Sequence, residues 1–428
     1  ACHERAPPSA RTMTVNATAP EISADALGFD MLDTATFSAG HPFEKYDRLR
    51  AVGPVVRHPG SATQPPFWLA TEYATIQKVS KDAENFTTSR GFRIHTDRRA
   101  SMDPKIAQVL SRFMLAMDEP EHSAYRGVVS ASFMPGALRG IEDRIRATIE
   151  AMVERITPGS EVEFVTEVGA IVPIKTVCAI MGVPPEDEPK VLEFTNAVFG
   201  TDDPAFAPTL EVANRNYLNI FDYGRWLFEQ RRREPKEDVV TLLVNARING
   251  EPLDETDLLS YFSNMISAGN ETTRSSLSGA IWALDLYRDA RESLLADPSR
   301  LAAAVDEILR WFTPVYHMAR TARRDVEVGG VTLREGERLA LLYGAGNHDP
   351  AVFADPHRLD ISRGNASRNI TFGYGVHHCL GWRLGTMQLR LILEALLRKF
   401  PRYELLSQPH YVASNFVRAM KTMHVRLQ

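Results

Sequence analysis

Apolar and polar positions along this 428-residue chain alternate mostly with the period of helices. Residues 65–80, PPFWLATEYATIQKVS, depart from it. A short apolar run followed by helical spacing predicts a strand and then a short helix. Residues 86–115 are polar, arginine-rich and weakly periodic, and predict a loop region. From about residue 122 the helical period dominates, with helices expected at roughly 136–156, 160–181, 186–200, 210–233 and 236–247. Pro184-Pro185, Pro204, Pro208 and Pro235 punctuate them. The longest pattern begins at Asp254, a capping residue type. It carries Leu258, Phe262, Met265, Ile266, Leu277, Ile281 and Leu284 at helical spacing as far as Tyr287. At a rise of 1.5 Å per residue it spans about 50 Å, enough to cross a whole domain.

A further helix over about 300–312 stops before Pro314. VEVGGVTL (326–333) predicts a hairpin turning at Gly329-Gly330, and RLALLYG (338–344) another strand. Residues 347–371 are irregular. The last long helix follows Cys379 and runs to about Phe400, with Pro401 as its stop. No repeat or linker divides the chain after residue 30. The expectation is a disordered, Pro/Ala/Thr-rich leader over 1–25, with Met13 as a candidate natural start. Residues 26–428 then form a single domain, mainly α with a smaller β-rich portion.

Composition changes this picture little. With 44% hydrophobic and 24% charged residues the chain can bury a large core. A net charge of −5 leaves no global basic footprint for nucleic acid. No apolar run approaches the roughly 20 residues of a membrane span, so a cytoplasmic protein without membrane association is expected. The three cysteines, Cys2, Cys178 and Cys379, make no disulfide framework and suit a reducing compartment. No CxxC or HExxH occurs, which argues against conventional zinc sites.

Candidate chemistry concentrates in FGYGVHHCLG (372–381). Cys379 lies at or just before a helix start, where free N–H groups and the macrodipole favour a thiolate. Gly373, Gly375 and Gly381 permit a tight loop and the close approach of a flat partner, and Phe372 can shield the sulfur. An inert buried thiol, an anionic metal ligand and a nucleophile with His377 or His378 as base all remain open at this level. A second stretch, Ala268-Gly269-Asn270-Glu271-Thr272-Thr273, breaks the rules of the long helix. Its mid-helix glycine costs about 1 kcal/mol relative to Ala. Two β-branched neighbours add crowding. Such conflicts mark functional sites.

Phe372-x-x-Gly375-x-His377-x-Cys379-x-Gly381 resembles the cysteine-ligand loop of the cytochrome P-450 family, the haem-thiolate monooxygenases. Three more motifs follow that family's order. Residues 268–273 resemble its oxygen-activation motif, with Ala268 and Gly269 giving room to a planar cofactor and O2. Glu271 and Thr272 are its acid–alcohol pair, Glu271 standing where many soluble members carry Asp. Glu307-x-x-Arg310, with Arg363, resembles the structural triad that locks the segment before the cysteine loop. His122-x-x-x-Arg126 resembles the helix that contacts the haem propionates, and Arg320 and His377 match two more propionate partners. Thr313-Pro314-Val315, Asn270-Glu271-Thr272-Thr273-Arg274 and Ser414–Arg418 look like the subgroups that hydroxylate alkyl chains, terpenoids and steroid side chains.

The resemblance implies haem b held between the central helix and the cysteine-ligand helix, with Cys379 as proximal iron ligand. It implies O2 as co-substrate and insertion of one oxygen atom into a C–H bond of a hydrophobic small molecule. A peroxide-driven haem oxygenase, a non-catalytic haem sensor and a haem-free hydrolase are the competing readings. The chain has no GxGxxG and no cysteine cluster, so electrons from NAD(P)H are expected through a separate ferredoxin and ferredoxin reductase. Arg112, Arg126 and Arg383 are candidates for docking them on a monomer. The run Arg231-Arg232-Arg233 is expected to end a helix, where cations complement the dipole. Asn264 and Ser267 share the helix face of the oxygen-activation motif. They are able to bind a substrate oxygen, hold a water or face the protein. Phe92, Met114, Phe199, Val315, Met318 and Phe416 are the expected apolar wall of the pocket.

Overall fold

The computed structural model describes residues 28–95, 103–199 and 203–428. The leader and the side chain of Phe199 lie outside the described residues. Its axis is the helix Glu255–Leu286. Asp254 starts this helix by accepting a hydrogen bond from the Asp257 N–H at 2.8 Å. Nearly every side chain from Asp257 to Leu284 is buried, because other helices wrap it on several sides. The helices Ile171–Met181, Glu188–Phe199, Leu210–Arg233, Leu301–Phe312 and Trp382–Lys399 all pack on it. No helix among the described residues is long and apolar enough to cross a membrane.

The β-rich portion is a five-stranded sheet in the order Val55–His58, Phe67–Ala70, Arg338–Leu342, His317–Ala322, Phe86–Thr87. Only the pairing of Phe67–Ala70 with Arg338–Leu342 is parallel. Its inner strands are buried on both faces, so they read as short continuous apolar runs. The hairpin Val326–Val328/Val331–Leu333 turns at Gly329-Gly330, both at positive φ.

Three expectations are corrected. Residues 160–181 are not one helix. Glu161–Glu163 is a strand against the C-terminal strand His424–Leu427, Val165–Gly169 is a π-helical turn, and the α-helix covers only Ile171–Met181. A strand's partner that distant in sequence leaves no local trace. Residues 86–95 and 103–115, the described parts of the expected loop region, are not all loop. Phe86–Thr87 joins the sheet, and Pro104–Ser111 is a helix capped by Asp103 with Pro104 at its first position. It buries only Ile106 and Val109, too few for a periodic signal. RLALLYG is a strand only to Leu342, after which Tyr343–Asn347 turns into a helix.

Candidate active site

The cysteine loop is shaped by its neighbours as much as by its own residues. Gly373 and Gly375 have φ of 74° and 71°. A Cβ on Gly375 would lie 2.3 Å from the Ser80 carbonyl oxygen. That glycine therefore admits the end of the helix Tyr73–Lys81 rather than a cofactor, while Gly381 has open space at its Cβ position. The Cys379 N–H donates to the Phe372 carbonyl at 2.8 Å, closing the loop just before the helix Trp382–Lys399. Cys379 is set deep in the fold yet accessible, so it borders an internal opening. Burial pushes its thiol up, which the Gly381 N–H and Arg126 only partly offset. The helix start alone does not secure the thiolate; a coordinated cation would reverse the balance.

The central helix borders an opening too. In its otherwise buried middle, Ala268 is exposed and Gly269 and Thr272 are half-buried. The Cβ position of Gly269 faces Val177 at 3.5 Å, an ordinary contact distance, so this glycine points into the helix packing and Ala268 borders the opening. The two helices meet near Gly385, whose Cβ position is 3.9 Å from both Phe372 and Thr273. Thr272 Oγ1 donates to the Ala268 carbonyl at 2.9 Å. Glu271 points elsewhere: its buried carboxylate accepts from Arg274 and, at 3.0 Å, from Ser275. The acid and the alcohol are adjacent in sequence, but the structure does not hydrogen-bond them to each other.

Four basic side chains gather beside the cysteine loop. The rings of His122 and His377 lie 4.3 Å apart, and His377 Nε2 is 3.3 Å from Thr88 Oγ1. Arg320 is buried, and its only hydrogen bond here goes to the Ala319 carbonyl at 2.9 Å. No carboxylate lies within ion-pair distance of Arg126, Arg320 or His377 among the described residues. Asp118 is held by Thr87, Thr88 and Arg323, and Glu119 by Ser123 and His122. Burial lowers the pKa of Arg320, and burial with Arg320 and His122 lowers that of His377 to about 3. Buried guanidinium groups are normally paired. This cluster is the setting two propionate carboxylates require, so the residues fit a haem.

Glu307 and Arg310 form a bidentate pair at 2.7 and 2.8 Å, both fully buried. Arg363 Nε reaches both Glu307 oxygens at 3.1 Å. Arg310 also donates to the carbonyls of Asn347 and Pro356, tying the irregular segment to the helix Leu301–Phe312.

Phe92, Val315, Met318 and Phe416 gather in one apolar cluster. Met114 packs instead against the main core. Sequence reasoning missed Phe206 and Val412 of the same cluster, which sit in loops without periodicity. Ser267 turns its hydroxyl back to the Ser263 carbonyl, whereas Asn264 makes no side-chain hydrogen bond to the described residues. Of the surface arginines, Arg112 is engaged by Asp257, Glu121 and Tyr125, and Arg126 belongs to the basic cluster. Arg383 is exposed and stacks on Trp382 at 4.4 Å. His378 packs edge-on to Trp382, 5.9 Å between centroids. Arg231, Arg232 and Arg233 form the last turn of the helix Leu210–Arg233, as expected, and Arg231 is also buried against Asp238 and the Gly182 carbonyl.

A fold with this helix crossing and this cysteine loop belongs to a known class. The family model "Cytochrome P450" matches residues 65–410, and the chain belongs to that family. It is 34% identical over 401 residues to linalool 8-monooxygenase of Pseudomonas putida, covering 93% of this chain and 98% of that one. Steroid C26-monooxygenase of Rhodococcus jostii is 30% identical over 408 residues, covering 93% and 84%. A Mycobacterium marinum cytochrome P450 in complex with pseudoionone superposes with a TM-score of 0.86 at 32% identity, covering 98% and 100%. A cytochrome P450 from Novosphingobium aromaticivorans gives 0.85 at 32%, covering 96% and 99%. The protein is an oxidoreductase of a monooxygenase family that uses haem and O2.

Proposed function

We propose that residues 26–428 form one catalytic domain that hydroxylates a hydrophobic small molecule of alkyl, terpenoid or steroid-like type. The cluster of buried Arg320 and His122 with half-buried Arg126 and His377, in which Arg126, Arg320 and His377 have no carboxylate within ion-pair distance among the described residues, beside an accessible Cys379, carries this reading. Linalool, steroids and methyl-branched lipids are named as substrates of relatives, which favours the alkyl and terpenoid range. When bound, the haem supplies the iron at which O2 is activated for insertion into a C–H bond.

The chain's own residues do the rest. Cys379 would ligate the iron through Sγ, and the four basic side chains would hold the propionates by charge-assisted hydrogen bonds. Gly375, Gly381 and Phe372 shape the loop beneath, and Ala268 leaves space above. Glu271 holds and moves a proton at a carboxylate oxygen, which requires it to loosen from Arg274. Thr272 presents its hydroxyl to the opening. Phe92, Val315, Met318 and Phe416 exclude water and orient the substrate. Electrons from NAD(P)H arrive singly through a ferredoxin and its reductase, with Arg383 as a docking contact on a cytoplasmic monomer.

Absorbance tests the reading. The purified protein is expected to carry a Soret band and the thiolate-type carbon monoxide spectrum, and Cys379→Ala is expected to lose that spectrum. A colourless protein, or a Cys379→Ala variant with an unchanged spectrum, would overturn it. A panel of alkanoids, terpenoids, steroids and aromatics should shift the haem band from low to high spin. A response to small aromatics alone would refute the substrate range.

A further inference from the structure

The buried polar side chains around Asn264 on the central helix are mostly accounted for. Ser263 donates to the Leu259 carbonyl, Ser267 to the Ser263 carbonyl and Asn270 to Thr195. Glu271 is bound by Arg274 and Ser275. The side-chain amide of Asn264, a residue 8% exposed, has no hydrogen-bond partner among the described residues. Nor is its amide sealed away, as Asn270 Oδ1 and Arg274 Nε are. A side-chain amide offers two donors and an acceptor, and leaving them unmet inside a protein is costly. An amide without a partner that still has accessible surface opens onto space a ligand can occupy.

Helix geometry says which space. Asn264 precedes the exposed Ala268 by four residues, so the two lie only about 40° apart around the helix. Along the axis Asn264 stands about 6 Å from Ala268 and about 12 Å from Thr272. The apolar cluster supplies Phe92, Phe206, Val315, Met318 and Phe416, and the polar side chains that pack on it, Arg93 and His317 on Phe416 and Lys421 on Phe206, belong to other segments than the central helix.

We infer that Asn264 binds the single neutral oxygen, hydroxyl or carbonyl, of an otherwise apolar substrate, and so selects oxygenated molecules over hydrocarbons. Because that oxygen is held at Asn264, the carbon to be oxidised lies about 6–12 Å away, beside Ala268 and Thr272. This deepens the monooxygenase reading above and rests on it. An alcohol satisfies the amide whether it donates or accepts, and a ketone satisfies its N–H. A hydrocarbon of the same shape leaves the amide unpaired, the situation in which a polar site discriminates best.

The test is spin-state titration of the haem-loaded protein with matched pairs, each an oxygenated terpenoid and its hydrocarbon. Linalool with myrcene is the first pair. Wild type is expected to bind at least one oxygenated member more tightly than its partner. Asn264→Leu should weaken that member about tenfold and leave the hydrocarbon unchanged or tighter. Asn264→Ser, whose shorter hydroxyl disturbs packing less, should show a smaller loss of the same selectivity. Wild type without preference in any pair, or variants that change both members by one factor, would overturn the inference. The carbon monoxide spectrum separates the two readings. If wild type lacks the thiolate-type band, the monooxygenase assignment fails; if the band is present and selectivity absent, only Asn264's role fails.

Discussion

Two buried glutamate–arginine pairs, each three residues apart on a helix, do different work in this protein. Glu307 and Arg310 are completely enclosed, and every bond they make holds the chain still. Arg363 and the Asp360 N–H complete the carboxylate's partners, and the carbonyls of Asn347, Pro356 and Arg358 complete Arg310. Glu271 and Arg274 are as buried but less finished. Arg274 Nε has no partner, the adjacent Asn270 Oδ1 is unmet, and Thr272 next door faces an opening. Identical spacing thus yields a fully paired clamp in one place and a pair with unmet neighbouring groups in the other. What differs is whether the surroundings use up the remaining donors and acceptors.

The largest expected effect comes from breaking the clamp. Glu307→Ala leaves Arg310 and Arg363 charged and unpaired. It should cost about 3–5 kcal/mol of stability, read by chemical denaturation or as loss of folded protein. An unchanged midpoint would show that the clamp is ornamental.

Glu271→Gln keeps the shape and removes the ionisable oxygen. The protein should fold and bind substrate, while product formation falls roughly 10- to 100-fold. Equal losses in stability and turnover would make this pair a second clamp and erase the contrast.

Arg320 sharpens the comparison from another side, as a buried guanidinium with no carboxylate within ion-pair distance among the described residues and only Asp118 acting on it from further away. Arg320→Met removes an unpaired charge, so the haem-free protein should be no less stable. Haem dissociation, followed by transfer to an acceptor globin, should accelerate about tenfold. If the haem-free protein is destabilised instead, the arginine serves the fold.

The smallest effect is a slope. His348 is buried beside the clamp, and its pKa is well below 6.5, first through burial and then through Arg310, His41 and His357. His317, buried in the sheet, is pulled down to about 3. The folded state takes up these protons less readily than the unfolded one. Their contribution is therefore fully present above about pH 6.5 and is lost as pH falls from there towards 3. Each group contributes up to about 1.4 kcal/mol per pH unit in that window. His348→Leu should flatten the fall in stability between pH 6.5 and 5 by about 1 kcal/mol per unit. An unchanged slope would remove His348 as a cause.

Elements whose stabilising partners are close in sequence could be read from the chain alone. The central helix announced itself by its length, its period and the Asp254 cap. The hairpin showed in Gly329-Gly330, and Glu307-x-x-Arg310 met as a pair because i,i+3 residues always meet on a helix. The spaced residues around Cys379 were legible for a similar reason: each motif is local, and only their order had to be noticed. Tertiary structure alone decided the rest, because it depends on contacts between distant segments. The pairing of Glu161–Glu163 with the last strand is one case, and the grouping of Phe206 and Val412 with Phe416 another. Gly375 proved necessary for Ser80, which no loop pattern names. Asn264 and Ser267 were equivalent polar residues on one face until the fold gave Ser267 a backbone carbonyl and left Asn264 without a partner. Periodicity records which face a side chain takes; hydrogen-bond satisfaction is settled only when the neighbouring segments arrive.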